Sequence, residues 1–308
     1  MLIYKNGEVH HEQHIRLPQD DEVGFIRLLR PSTEEIKHFL GEVFACHPLV
    51  IEDCVFLERQ RPKVDTYKNH ALVMFSSLLE DLAFSKMGII IGKNYIIAIQ
   101  LEVIPALDEL REQFLKIPEH MEHPGLVLYH LLDQCVDQYM SITDSIEDKV
   151  ESLETSLYEN PTGKLSQEIF HLKRRLHGIR RTFVEERDVL GTLMHTQFPY
   201  TREETNLYLM DVHDHLNRVV DSVDSFREAL TSILELQVSL KGDRMNEIMK
   251  TLTLVSTFFL PLTFIVGLYG TNLRLPEYRW NLGYPYLWLV LIGTTVVMFL
   301  YFKRKNWW

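Results

Sequence analysis

The run Thr251–Asn272, TLTLVSTFFLPLTFIVGLYGTN, carries no charged side chain. A second such run, Tyr284–Phe302, YPYLWLVLIGTTVVMFLYF, follows after a short polar segment. A helix needs roughly 20 apolar residues to cross about 30 Å of hydrocarbon, and each run meets that length. A buried soluble helix could be equally apolar. Two in succession with charged flanks predict membrane spans at 249–270 and 285–303, joined by an outer loop at 271–284. Lys241, Arg244 and Lys250 precede the first span; Lys303, Arg304 and Lys305 follow the second. The loop has Arg274 and Arg279 as its cations, with Glu277 between them. Lys and Arg concentrate on cytoplasmic flanks. Both chain ends are therefore expected on the cytoplasmic side of a cell (inner) membrane. Trp307 and Trp308, in the basic tail 304–308, suit an interfacial aromatic belt.

The chain of 308 residues has 43 acidic and 32 basic side chains, a formal charge of −11. The acids and bases crowd the part before the spans. An acidic balance disfavours nucleic acid as a partner and suits cations. Cys46, Cys54 and Cys135 are scattered, with neither a disulfide framework nor a CxxC zinc pattern, which fits a reducing cytosol. The opening residues have no apolar leader, so no secretory signal is expected. No P-loop, nucleophile elbow or HExxH occurs, and no enzymatic activity is expected.

Residues 1–124 read as a small α/β domain. ALVMFSSLLE (Ala71–Glu80) and MGIIIGKNYIIAIQ (Met87–Gln100) are strand-like, the second turning at Gly92-Lys93-Asn94. In STEEIKHFLGEVF, Ser32 is a helix N-cap. From 125 to 202, apolar residues recur at three- and four-residue steps in two helices. Asn160-Pro161-Thr162-Gly163 breaks them, and Pro199 closes the second. From about Glu203 no proline occurs until Pro261, and helical spacing runs through a stalk, 203–248, into the first span. One helix from there to Tyr269 would be about 100 Å long at 1.5 Å per residue. The expected fold is an α+β cytoplasmic domain with a long helical stalk, followed by two C-terminal transmembrane helices.

Along one face of the first span lie Asn246, Met249, Thr253 or Leu252, Ser256, Leu260, Thr263, Gly267 and Gly270. Leu254, Val255, Phe258, Phe264 and Ile265 make the opposite, bulkier face. Small and hydroxylated residues in one stripe permit close helix packing. The same stripe could line a pore. Neither span holds a carboxylate, so a dehydrated divalent ion finds no strong ligand there. Neutral oxygens can hold a hydrated cation through its water, and Mg²⁺ gives up water most reluctantly. Asn272 offers an amide oxygen at the outer end.

These residues resemble the CorA family of divalent-cation channels. GLYGTN is similar to that family's Tyr-Gly-Met-Asn signature, here Tyr269, Gly270, Thr271 and Asn272. The resemblance extends through MNEIMKTLTLVSTFFLPLTFIVGLYG, the outer EYRWNLGYP and the basic YFKRKNWW. Upstream it includes HPLVIEDCVFLERQRPKVDTY. It implies a homopentameric funnel carrying Mg²⁺, with Co²⁺ or Ni²⁺ as further ions. It assigns Asn246, Met249, Leu252 and Thr263 to the pore, with Met249 and Leu252 as the inner constriction, and Ser256 on the same stripe is expected to join them. It also implies closure by Mg²⁺ bound between cytoplasmic domains. Glu235 matches the stalk carboxylate of that site, with Glu80 or Asp81 of a neighbouring subunit as partner. Asp211 matches a second site. By themselves these acids read as a solvated helix face.

Thr271 stands where the family signature has methionine, and Arg274 where relatives often have an acid. Both bear on which ion is carried. A zinc transporter of the ZntB kind is the alternative on the same scaffold, moving Zn²⁺ as an exporter or a proton-coupled importer. A membrane-anchored coiled-coil sensor without a pore is the alternative of another class. His10, His11 and His14 read as a flexible polar segment rather than a metal site. His213 and His215 read as solvated or inter-helix residues. The basic Lys173–Arg181 is expected to pair with acids on neighbouring helices.

Overall fold

The computed structural model describes residues 1–159, 163–195, 198–272, 275–305 and 307. It divides into two units, Met1–Leu234 and Glu235–Trp308. The expected break at 160–162 lies outside the described residues.

In the first unit, Asn6 (φ 52°) and Gly7 (φ 85°) turn β1 (Leu2–Lys5) back onto β2 (Glu8–His11). A tight hairpin turn of this kind needs positive φ at both central residues, which Asn-Gly accepts with little strain. His10 and His11 are thus strand residues opposite Ile3 and Leu2. This corrects the expectation that they belong to a flexible segment: ladder hydrogen bonds fix their backbone.

The sheet continues with β3 (Val23–Leu29), β4 (Lys63–Thr66), β5 (His70–Leu78), β6 (Phe84–Gly92) and β7 (Tyr95–Gln100). Its order is β2-β1-β3-β7-β6-β5-β4. Among the described residues, β3 and β7 alone pair in parallel; the other neighbours are antiparallel. The hairpin between β6 and β7 turns where Gly92-Lys93-Asn94 predicts.

Strand side chains alternate between faces, and here both faces are buried. Ile26, Leu28, Leu72, Met74, Ile90, Ile97 and Ile99 share one core with Ile36, Leu40, Phe44, Val50 and Cys54. The latter come from α1 (Thr33–Ile36), the π-helical turn Lys37–Val43 after it, α2 (Pro48–Val55) and the loop between them. Ser32 caps α1 reciprocally: Glu35 N donates to its hydroxyl, and Ser32 N donates to the Glu35 carboxylate.

The other face meets α3 (Pro105–Lys116), α4 (Pro124–Glu159) and α5 (Gly163–Leu193). Phe25 packs edge-on against Phe114 of α3, and Phe84 against Phe183 of α5. Helix α5 ends at Leu193, before Pro199 is reached. The basic stretch of α5 docks on the next helix, α6: Arg180 Nε donates to both oxygens of Asp224, and Lys173 Nζ to Thr231. Helix α6 spans Glu203–Tyr269 without interruption, 67 residues, as its spacing predicts.

In the second unit, α7 (Gly283–Arg304) packs against α6. Within 251–269 the half-buried residues of α6 are Leu254, Thr257, Phe258, Pro261, Leu262, Ile265 and Tyr269. They recur at three- and four-residue steps, so they form one stripe. Phe258 lies 5.7 Å from the ring of Phe302, and Leu262 and Val266 share a groove with Trp288, Leu291 and Thr295. None of the most apolar stretch of α6 is buried, and almost none of that of α7. A soluble core helix would be covered. Apolar surface this continuous requires lipid or further protein against it.

Candidate functional site

Asn246, Met249, Leu252, Ser256 and Thr263 are all exposed on α6. At about 100° per residue they fall within a sector of roughly 120°. That sector lies opposite the stripe that meets α7. Leu252 and Ser256 line a groove that Met298 of α7 also borders, but all five side chains stay exposed, so this face is not closely packed on α7 within the chain. The Thr263 hydroxyl donates to Phe259 O at 2.7 Å. With its proton engaged, it presents only lone pairs outward, which suits the hydrogens of a cation's water shell.

Helix α6 closes at Tyr269. Gly270 N donates to Val266 O at 2.9 Å, and the Thr271 hydroxyl to Leu268 O at 2.8 Å. Gly270, Thr271 and Asn272 are exposed just beyond the last turn. Arg274 and the Glu277 side chain lie outside the described residues. Arg279 is exposed at the end of a 3-10 turn, Pro276–Arg279. Lys303 and Arg304 end α7, where cations favour the helix dipole, and Lys305 N caps the Tyr301 and Phe302 carbonyls.

Two groups of acidic residues in the first unit share one member, Asp137. Asp133 and Asp137 on α4 and His215 on α6 each bring a ligand atom, all within 4.8 Å of one another. Asp211 lies one turn before His215, 3.8 Å from its Nε2. Burial, with Asp137 nearby, raises the Asp133 carboxyl to about 6. His215 Nδ1 is buried without a hydrogen-bond partner among the described residues. Sequence reasoning missed Asp133 and Asp137. The available signal was two acids four residues apart on an otherwise apolar helical face.

Glu80 and Asp81 lie in the turn between β5 and β6. Asp81 Oδ1 accepts from Ala83 N at 3.0 Å, and its carbonyl accepts from Arg175 at 2.9 Å. Both acids line a cavity of about 730 Å³ with Glu109 and Asp137. Asp211 is not among the residues lining that cavity. Glu235 is exposed at the start of the second unit.

An Mg²⁺ ion needs about six oxygens near 2.1 Å, several of them water. Three donors in this small space supply part of such a shell. The imidazole also suits Co²⁺, Ni²⁺ or Zn²⁺.

Residues 20–304 match a protein family described as CorA-like Mg²⁺ transporter protein. The chain is 34% identical over 276 residues to the cobalt/magnesium transport protein CorA of Thermotoga maritima, covering 87% of this chain and 78% of that one. The zinc transport protein ZntB of Photorhabdus laumondii is 29% identical over 185 residues, 58% of this chain and 56% of its own. The fold matches the complete structure of the CorA magnesium transporter from Methanocaldococcus jannaschii. The TM-score is 0.86 at 24% identity, covering 100% of this chain and 98% of that one.

Proposed function

The chain belongs to the CorA-like Mg²⁺ transporter family, and from that premise we propose that it is a channel carrying hydrated Mg²⁺ into the cytoplasm. The observation that carries this reading is the exposed stripe of α6, turned away from α7 and ending at Asn272. Five copies placed around this stripe would line a path. Neither span holds a carboxylate, so a hydrated ion would meet only neutral acceptors, Thr263 and Asn272 among them, and pass without being trapped. Met249 and Leu252 would form an apolar constriction that closes by losing water. With both chain ends in the cytoplasm, the membrane potential would drive entry, at about 2.3 kcal/mol per charge per 100 mV. Co²⁺ and Ni²⁺ are further candidate cargo.

For regulation, the geometry favours a cation held at Asp133, Asp137 and His215, with Asp211 adjacent. Glu80 and Asp81 would act through the cavity that Asp137 also lines, and Glu235 between copies. Carboxylates this close repel unless a cation bridges them. Falling internal Mg²⁺ would loosen the contacts that hold the closed state.

The test is flux through the purified full chain in liposomes. Mg²⁺ influx driven by an imposed potential, without need of a proton gradient, is the expected result. Zn²⁺ flux that requires a proton gradient, with no Mg²⁺ flux, would assign the chain to zinc transport. No flux of any ion would favour a sensor. Cross-linking in the membrane would count the copies, five being expected.

A further inference from the structure

Strand β4 covers the outer edge of β5 only as far as Met74, its partner being Lys63. The bond from Tyr67 N to His70 O shows which β5 peptides point toward that edge: those of residues 70, 72, 74 and 76. Ser76 therefore has an N–H and a carbonyl directed beyond the end of β4. Both are buried, and unpaired buried backbone groups are costly. Two side chains meet them. Glu186 of α5 accepts from Ser76 N at 2.9 Å, across 110 residues of sequence. The hydroxyl of Tyr139 on α4 donates to the Ser76 carbonyl.

Tyr139 Oη also lies 3.0 Å from Glu186 Oε2. A phenol has one proton, and a carbonyl can only accept. The Tyr139 proton is committed to Ser76, so the contact with Glu186 needs a proton from the carboxyl. The ring then closes: Ser76 N–H to Glu186 Oε1, Glu186 Oε2–H to Tyr139 Oη, Tyr139 O–H to Ser76 O. Glu186 and Tyr139 are both 0% exposed.

Among the described residues no cation pairs with Glu186. Facing Glu186 are Tyr139 and Cys135 from α4 and Ser76 from β5, with Glu185 beside it on α5. Lys86 of β6 is opposite Ser76 in register, but its ammonium is bound by the Glu58 and Gln60 carbonyls. Burial pushes the Glu186 carboxyl well above its usual range, and the hydrogen bond it accepts from Ser76 N opposes this without reversing it.

We propose that Glu186 is a proton-locked clasp: as the neutral acid it completes the open edge of β5 and fastens the α4–α5 pair to the sheet, and loss of its proton at alkaline pH releases that contact. Ionisation would strand a charge among apolar side chains. It would also force Tyr139 to choose between the carboxylate and the Ser76 carbonyl, leaving one buried acceptor unpaired. Glutamine keeps the ring, because its amide N–H donates to Tyr139 while its oxygen accepts from Ser76, but glutamine cannot titrate.

The experiment uses the full chain in nanodiscs, as wild type and Glu186→Gln. The infrared difference spectrum at pH 7 should contain the carbonyl band of a protonated acid that the variant lacks. Hydrogen exchange at the Ser76 amide, normalised to Glu186→Gln at each pH, should accelerate at least about tenfold between pH 7 and the alkaline limit of stability, the effect of one unit of linkage. A carboxylate band alone at pH 7, or a wild-type to variant exchange ratio that stays constant with pH, would overturn the proposal.

Discussion

The hydroxyl of Thr271 donates to the carbonyl oxygen of Leu268 at 2.8 Å, closing the last turn of α6. That carbonyl is one of those a helix end leaves without an intrahelical partner. Thr271→Val keeps the shape and removes the bond. Such a bond is worth about 1 kcal/mol, so thermal melting in detergent should fall by a few degrees. Because the hydroxyl proton is already engaged, the relative Mg²⁺ and Co²⁺ fluxes should change less than twofold. A reversed preference would show that the hydroxyl itself meets the ion.

Asn272 is exposed beyond that turn, where its amide would be free to face hydrated ions. Asn272→Ala should reduce Mg²⁺ influx into liposomes at least about tenfold, a loss near 1.4 kcal/mol. The melting temperature should stay close to wild type, since no packing is removed. Unaltered influx would count against Asn272 as a selectivity residue.

Asp133, Asp137 and His215 predict a stabilisation that depends on ions. At about 100 times the dissociation constant, a ligand bound only by the native state adds about 2.7 kcal/mol. Millimolar Mg²⁺ should raise the melting temperature of the wild type and protect α4 and α6 from protease. In Asp133→Asn/Asp137→Asn both effects should vanish, while the ion-free melting temperature rises because the repulsion is gone. Equal Mg²⁺ shifts in both proteins would remove this cluster from the regulatory account.

Glu22 predicts an acid-sensitive contact at the loop that leads into β3. Its carboxylate is held to about 2, first by Arg16, with Gln19 N and Lys5 assisting. A carboxyl lowered on folding adds stability above its ordinary value of 4.5. That stability is lost as pH falls toward 2, because protonation then favours the unfolded chain. Glu22→Gln should therefore be less stable than wild type at pH 7. The gap should close between pH 4.5 and 2, as followed by chemical denaturation at each pH.

Phe258 and Phe302 join α6 to α7 with ring centres 5.7 Å apart. Phe258→Ala should weaken this pairing, whereas Phe264→Ala, on a side chain 70% exposed within the chain, should leave it intact. Cysteine cross-linking between Leu262 and Thr295, which share a groove, would read the difference. Equal loss in both variants would refute the proposed packing face.

Much of this protein was legible because it is local. The charge-free runs, Ser32 with Glu35, the turn at Lys93-Asn94 and the unbroken α6 depend on residues within a few turns of one another. The Asn6-Gly7 hairpin is equally local, a turn signal that outweighs the polarity of the histidines after it. The exposed stripe of α6 could be drawn from spacing, but spacing left open whether it packs on a neighbour. The position of α7 on the opposite face answers that for the chain itself.

By itself, then, the sequence determined the helices, the apolar spans and the faces each helix presents, since hydrophobic period and chain stiffness act over short distances. Only the tertiary structure decided the parallel pairing of β3 with β7, the meeting of Asp133 and Asp137 with His215, and the clasp of Glu186 on Ser76. Those contacts join residues far apart in the chain. They form because separate apolar faces must be buried together, and once buried, their polar groups must find partners across the fold.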